Sequence, residues 1–146
     1  MRFAAGVPVA IRVEFDLKTA QFAVAGAISV TFGTAPLALD AGELIAEAAR
    51  AAAEADVAVV VVGTNSRVES EGYDRDDLDL PGHQDALVAA VAKANPRTVV
   101  VVNSGSPVLL PWRGDVAAVL LGYFGGQEFG NAVADVLVGA AEPGGR

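Results

Sequence analysis

The sequence predicts an α/β protein: a three-layer α/β sandwich on a mainly parallel sheet, preceded by two antiparallel β-strands. Three observations carry that expectation. Apolar residues alternate with a period of two before Asp40, runs that are apolar on both faces follow it, and helical periodicity separates those runs. At 146 residues, with 53% hydrophobic and 19% charged, the chain can bury a core, and the length is room for one domain and hardly for two.

In chain order, Val7, Val9, Ile11, Val13 and Phe15 alternate with other residues, as do Ile28, Val30 and Phe32, with Gly26 and Gly33 as punctuation. Two strands do not make a stable unit in water. Residues 1–40 are therefore expected to be the terminal strands of an incomplete β-sandwich module. Asp40 followed by Glu43 forms a capping box, opening a helix to about residue 55. Its inner stripe is Leu44, Ile45, Ala48, Ala52 and Ala55; Glu43, Glu47, Arg50 and Glu54 share the outer face. Residues 57–62 read as a parallel strand covered on both sides. A second helix spans about 84–94, with Leu87, Val88 and Val91 inward and Asn95-Pro96 as its stop. Residues 98–102 and 116–121 are the next strands. A last helix, about 127–138, buries Phe129, Ala132, Val133, Val136 and Leu137 and ends at Gly139. Three strands is a small sheet whose edges need cover. With Glu142-Pro143-Gly144-Gly145-Arg146 closing on turn chemistry, residues 41–146 are expected to be an α/β-sandwich domain incomplete at both ends.

Eighteen acidic residues against ten basic give a net charge of -8, which argues against a nucleic-acid partner and against binding to anionic membranes. Zero cysteines remove disulfides, thiol catalysis and thiolate metal sites. The first residues lack the apolar core of a signal peptide, and the most apolar run is far short of the roughly 20 residues that span a bilayer. A soluble protein of the bacterial cytoplasm is the expectation; self-association is left open.

The chemistry concentrates on residues 63–81, a long aperiodic connection leaving the C-terminal end of a parallel strand, where open α/β sheets place their sites. It carries Glu69, Glu71, Asp74, Asp76, Asp77 and Asp79, with Arg67 and Arg75 among them. A solvated acidic loop is the plain reading. A calcium site using Asp74, Asp76 and Asp85 lacks the required glycine, because Asp79 stands in its place, and has Leu78 at the third ligand position. Gly63-Thr64-Asn65-Ser66 has one glycine, too few for a phosphate loop. No metal and no cofactor is assigned. Carboxylate acid/base work fits best, since a glutamate among other acids can have its pKa raised into a useful range.

The string Glu69-Ser70-Glu71-Gly72-Tyr73-Asp74-Arg75, followed by Leu78-Asp79-Leu80-Pro81-Gly82-His83-Gln84-Asp85, resembles the C-terminal α/β-sandwich domain of glycoside hydrolase family 3, the β-glucosidase family. Ordered blocks continue the resemblance: Ala94-Asn95-Pro96-Arg97-Thr98, Asn103-Ser104-Gly105-Ser106-Pro107, Pro111-Trp112 and Gly125-Gly126-Gln127-Glu128. Residues 1–40 more weakly resemble the closing strands of the protective-antigen-like β-sandwich that some members carry inserted.

The resemblance implies a retaining β-glucosidase acting on terminal β-D-glucosyl residues of a β-glucoside or oligosaccharide. Glu71 matches the family's general acid/base. The family's nucleophile is an aspartate in a Ser-Asp-Trp type motif on a (β/α)-barrel domain, and this chain contains no such motif. The retaining pair needs its carboxyls about 5–5.5 Å apart, which only docking of the absent barrel achieves. The isolated chain is therefore expected to be inactive. Glu69 is the alternative acid or a loop-ordering charge, and Asp74 and Arg75 are expected to hold the loop by pairing with each other or with backbone. His83 has no metal-spaced partner, and Ser104 and Ser106 lack a histidine that would make either a nucleophile. Trp112, Tyr123 and Phe124 are expected to pack or to meet another domain rather than line a sugar site. The competing readings are a non-catalytic carbohydrate-binding or structural module and a flavodoxin-type ligand-binding domain.

Overall fold

A computed structural model of the chain describes residues 6–10, 12 and 39–145. Two compact units divide it, residues 1–37 and 38–146. Most of the two strands expected before Asp40 lies outside the described residues; within residues 6–10, Val7 and Val9 are exposed. The second unit is described by itself.

Its order is α1 (Ala41–Glu54), β1 (Ala58–Gly63), α2 (Gln84–Ala94), β2 (Thr98–Asn103), β3 (Ala118–Leu121) and α3 (Phe129–Leu137). α1 begins where the capping signal places it: the Asp40 carboxylate accepts from the Glu43 N–H at 2.9 Å, satisfying one orphan donor of the first turn. The strands form one parallel sheet in the order β1-β2-β3, with Val60 opposite Val100 and Val100 opposite Val119. β3 starts two residues later than residue 116, and α3 is shorter than the span 127–138.

The core lies between one face of the sheet and the first two helices. Ala58, Val60, Val62, Val100 and Val102 point into it from the strands, and Ala52, Val88 and Val91 meet them from α1 and α2. A fully buried side chain of this size contributes about 1.5–3 kcal/mol, so this layer holds the unit together. Asn95 fixes the two helices to each other. From the C-cap of α2 its buried side-chain amide donates to the carbonyls of Ala52 and Ala55, both at 2.9 Å, and its Oδ1 accepts from the Arg97 N–H at 2.8 Å. One residue thereby satisfies carbonyls at the end of α1 and a donor in the turn after α2.

α3 supplies the third layer on the opposite face, where Phe129, Ala132, Val133 and Val136 face Leu120 of β3. Here the structure departs from two expectations. β2 is covered on both faces, with Val100, Val101 and Val102 all buried. β1 is covered on one only: Val59 and Val61 remain 48% and 64% exposed. The expected inner stripes are also looser, since Leu44 and Ala55 of the first helix are exposed and no α3 residue is fully buried. α3 is nine residues long and lies beside the far strand, leaving nothing among the described residues over the outer face of β1.

Candidate functional site

All three strands run parallel, so their C-terminal ends share one rim of the sheet, and the acidic loop leaves that rim from β1. Gly63 is needed at the departure point, because a Cβ there would overlap the Asn103 carbonyl. Gln84, the first residue of α2, closes the loop's two ends. Its side chain accepts from the Gly63 N–H at 2.7 Å and donates to the carbonyls of Gly63 and Pro81, both at 2.9 Å. A long loop is thereby pinched at its base by one amide.

Within the loop, Asn65 starts a tight fold. Its carbonyl accepts from Val68 and Glu69, each at 3.0 Å, and its side chain accepts from the Arg67 N–H at 2.9 Å. The Tyr73 hydroxyl donates to the Ser66 carbonyl, and Ser70 and Tyr73 form an antiparallel bridge. Glu71 and Gly72 occupy the tip of the turn so closed, both exposed, with the Gly72 N–H bonded to Ser70 Oγ at 3.2 Å. Among the described residues the Glu71 side chain makes no hydrogen bond or ion pair.

Glu69, two residues earlier, is half-buried and surrounded by donors. Thr64 Oγ1 donates to its Oε2 at 2.5 Å, and the Ser106 hydroxyl and Gly105 N–H lie within reach of the same carboxylate. The Thr64 bond above all, then Ser106, Gly105 and the nearby Arg75 charge, hold this carboxyl below the ordinary range, outweighing a desolvation that pushes it up. Arg75 uses the backbone option rather than Asp74. Its Nη1 donates to Ser106 Oγ and the Pro107 carbonyl, both at 3.2 Å, and its Nη2 to the Asp79 carbonyl at 3.0 Å. Asp74 is exposed and, with Arg67, Tyr73 and Asp76, walls a cavity of about 380 Å³.

The remaining singled-out residues divide clearly. Trp112 is buried in the core and its indole N–H donates to the Asp85 carboxylate at 2.7 Å. Phe124 lies against Gly105, where a Cβ would overlap its ring. Tyr123 is 59% exposed with φ +54, a left-handed conformation uncommon outside glycine. His83 is exposed and caps α2 without a side-chain bond. Ser104 is buried, and Ser106 serves the Arg75–Glu69 network. Among the described residues no group of three His, Cys, Asp or Glu side chains is placed to hold a metal, and no helix is long and apolar enough to cross a membrane. Sequence reasoning missed Thr64, Gln84 and Gly105 as parts of the site. Their signal is positional only: each stands at or next to the end of an element on the same rim.

Residues 8–146 match the glycosyl hydrolase family 3 C-terminal domain. The chain is 44% identical over 131 residues to a probable beta-glucosidase I of Aspergillus terreus, covering 90% of this chain and 16% of that protein. It is 49% identical over 109 residues to a beta-glucosidase of Kluyveromyces marxianus, covering 75% and 13%. The crystal structure of the Kluyveromyces marxianus enzyme in complex with glucose superposes with a TM-score of 0.72 at 50% identity, over 75% of this chain and 13% of that one. DesR, a beta-glucosidase from Streptomyces venezuelae, gives 0.64 at 45% identity, over 68% and 12%. The chain thus spans about one-sixth or less of the length of these relatives. A match over nearly its whole length, with a parallel α/β sheet that superposes on solved members, shows that this chain belongs to the C-terminal domain of glycoside hydrolase family 3.

Proposed function

We propose that this chain supplies the general acid/base, Glu71, to a retaining β-glucosidase whose nucleophile lies on a (β/α)-barrel domain outside it. The carrying observation is an exposed glutamate at the tip of a turn anchored on both sides to the sheet rim, within the block from Glu69 to Arg75. An exposed carboxylate on a held turn can enter a site completed by another domain, within reach of the oxygen it is to protonate. Glu71 then protonates the leaving glycosidic oxygen as the barrel's aspartate attacks the anomeric carbon. In the second step it removes a proton from the water that releases the glycosyl-enzyme. Of the three residues assigned to binding or loop support, Glu69 and Arg75 serve as loop support, and Asp74, on the cavity wall, is assigned to binding.

The substrate we assign is a β-glucoside or β-linked oligosaccharide, and the required partner is the barrel. Alone, the chain has one half of the catalytic pair and is inactive. The division of the chain near Asp40, with the end of a β module before it, belongs to the same proposal. So does a soluble bacterial setting, the named relatives coming from fungi and bacteria alike.

Grafting tests it. The segment matching the Kluyveromyces marxianus enzyme replaces its counterpart there, and hydrolysis of an aryl β-glucoside is measured. The graft is expected to be active, with Glu71→Gln lowering the rate by about 10²–10⁴-fold. A fully active Glu71→Gln graft contradicts the assignment. Hydrolysis by the purified 146-residue chain, abolished by the same substitution, contradicts its silence.

A further inference from the structure

Glu71 has no side-chain anchor among the described residues, so its place is that of its turn, and the turn is tied down two residues away. Thr64, just past β1, donates to the Glu69 carboxylate, and Gly105 and Ser106, just past β2, present an N–H and a hydroxyl to it. Ser106 Oγ accepts from Arg75, which leaves the Ser106 proton free to point at Glu69. Phe124, past β3, lies against Gly105, and a Cβ on Gly105 would overlap both the Phe124 ring and Glu69 Oε1. The ends of β1 and β2 therefore meet at one carboxylate, with Phe124 packed on the Gly105 side.

The proton inventory decides which form of Glu69 fits. Thr64 Oγ1 donates to Oε2, and Ser106 and the Gly105 N–H favour the charged form of the same group. An ionised carboxylate only accepts and keeps these donors; a protonated carboxyl carries its own proton, keeps the Thr64 bond only by turning that hydroxyl round, and gives up the attraction of the Arg75 charge. We propose that ionised Glu69 is a positioning residue, a latch that holds the Glu71 turn to the ends of β1 and β2 and releases it on protonation. Its bearing on catalysis rests on the acid/base reading of Glu71; the latch concerns only the order of the turn. Arg75 is the charged group acting on Glu69 among the described residues, and the strand ends contribute the neutral Thr64, Gly105, Ser106 and Phe124.

The test uses the 146-residue chain. The Glu69 carboxyl is titrated by carbon-13 NMR while amide-exchange protection is followed at Val68, Glu69 and Gly72, whose N–H groups are bonded within the turn. The β2 amides and Trp112 emission report the fold. At neutral pH, Glu69→Gln is expected to reduce protection of the turn amides by about tenfold or more, with β2 unchanged. In the unsubstituted chain the same loss is expected to accompany protonation of Glu69. Equal protection with and without the substitution, or turn protection that persists through the Glu69 titration, overturns the latch. If Glu69→Gln exposes Trp112, the titration of the unsubstituted chain decides alone. Glu71→Gln is expected to leave the turn's protection intact, which separates failure of the latch from failure of the acid/base assignment.

Discussion

Glu69 and Glu71 are two residues apart, but Thr64 donates to the carboxylate of the first, with Ser106 and Gly105 beside it, and among the described residues none reaches that of the second. The lowered pKa of Glu69 has a definite sign in stability. As pH falls, the unfolded chain takes up this proton first, so the contribution is full above the ordinary glutamate pKa and is lost as pH falls through the lowered one. Thermal unfolding is therefore expected to show Glu69→Gln melting below the unsubstituted chain at pH 7, with the gap closing as pH falls below the ordinary glutamate range; a gap independent of pH contradicts it. At this scale the sequence leaves open the choice between Asp74 and backbone as the partner of Arg75, while the block from Glu69 to Arg75 was legible in it as a family resemblance. The partners were not, because Gln84 meets Gly63 across 21 residues and Arg75 meets Ser106 across 31. Contacts of that span leave no periodicity to read.

α2 shows what makes an element legible. Pro81-Gly82 precedes it and Asn95-Pro96 follows it, and its observed bounds, Gln84–Ala94, are those that the punctuation predicts. α1 begins at its capping residue for the same reason. Removing that cap by Asp40→Ala is expected to cost about 0.5–2 kcal/mol, read as a lower melting temperature with the α2 and sheet signals unchanged below the transition. β1 was legible as a strand but not in its cover. An unbroken run of valines says that a strand can be buried on both faces, and only the position of α3 determines that one face is left open.

Across the described part of the molecule, that open face sets apolar side chains against solvent on the sheet itself. Val59 and Val61 stand exposed on an edge strand, and Val57 precedes them, also exposed. Surface replacements away from packed contacts change stability by little, within about 0.5 kcal/mol. The double substitution Val59→Thr, Val61→Thr is accordingly expected to leave the melting temperature nearly unchanged while lowering binding of a hydrophobic dye and the aggregated fraction on size exclusion. A large loss of stability instead would mean that the face is packed in solution.

Under the proposed function, the Glu71 turn, exposed on the rim of the sheet, acts on what docks against it. The graft into the Kluyveromyces marxianus beta-glucosidase, assayed with and without Glu71→Gln, measures this most directly. Aryl β-glucoside hydrolysis by the graft, reduced about 10²–10⁴-fold by the substitution, is the result expected; an active graft indifferent to Glu71 would contradict it.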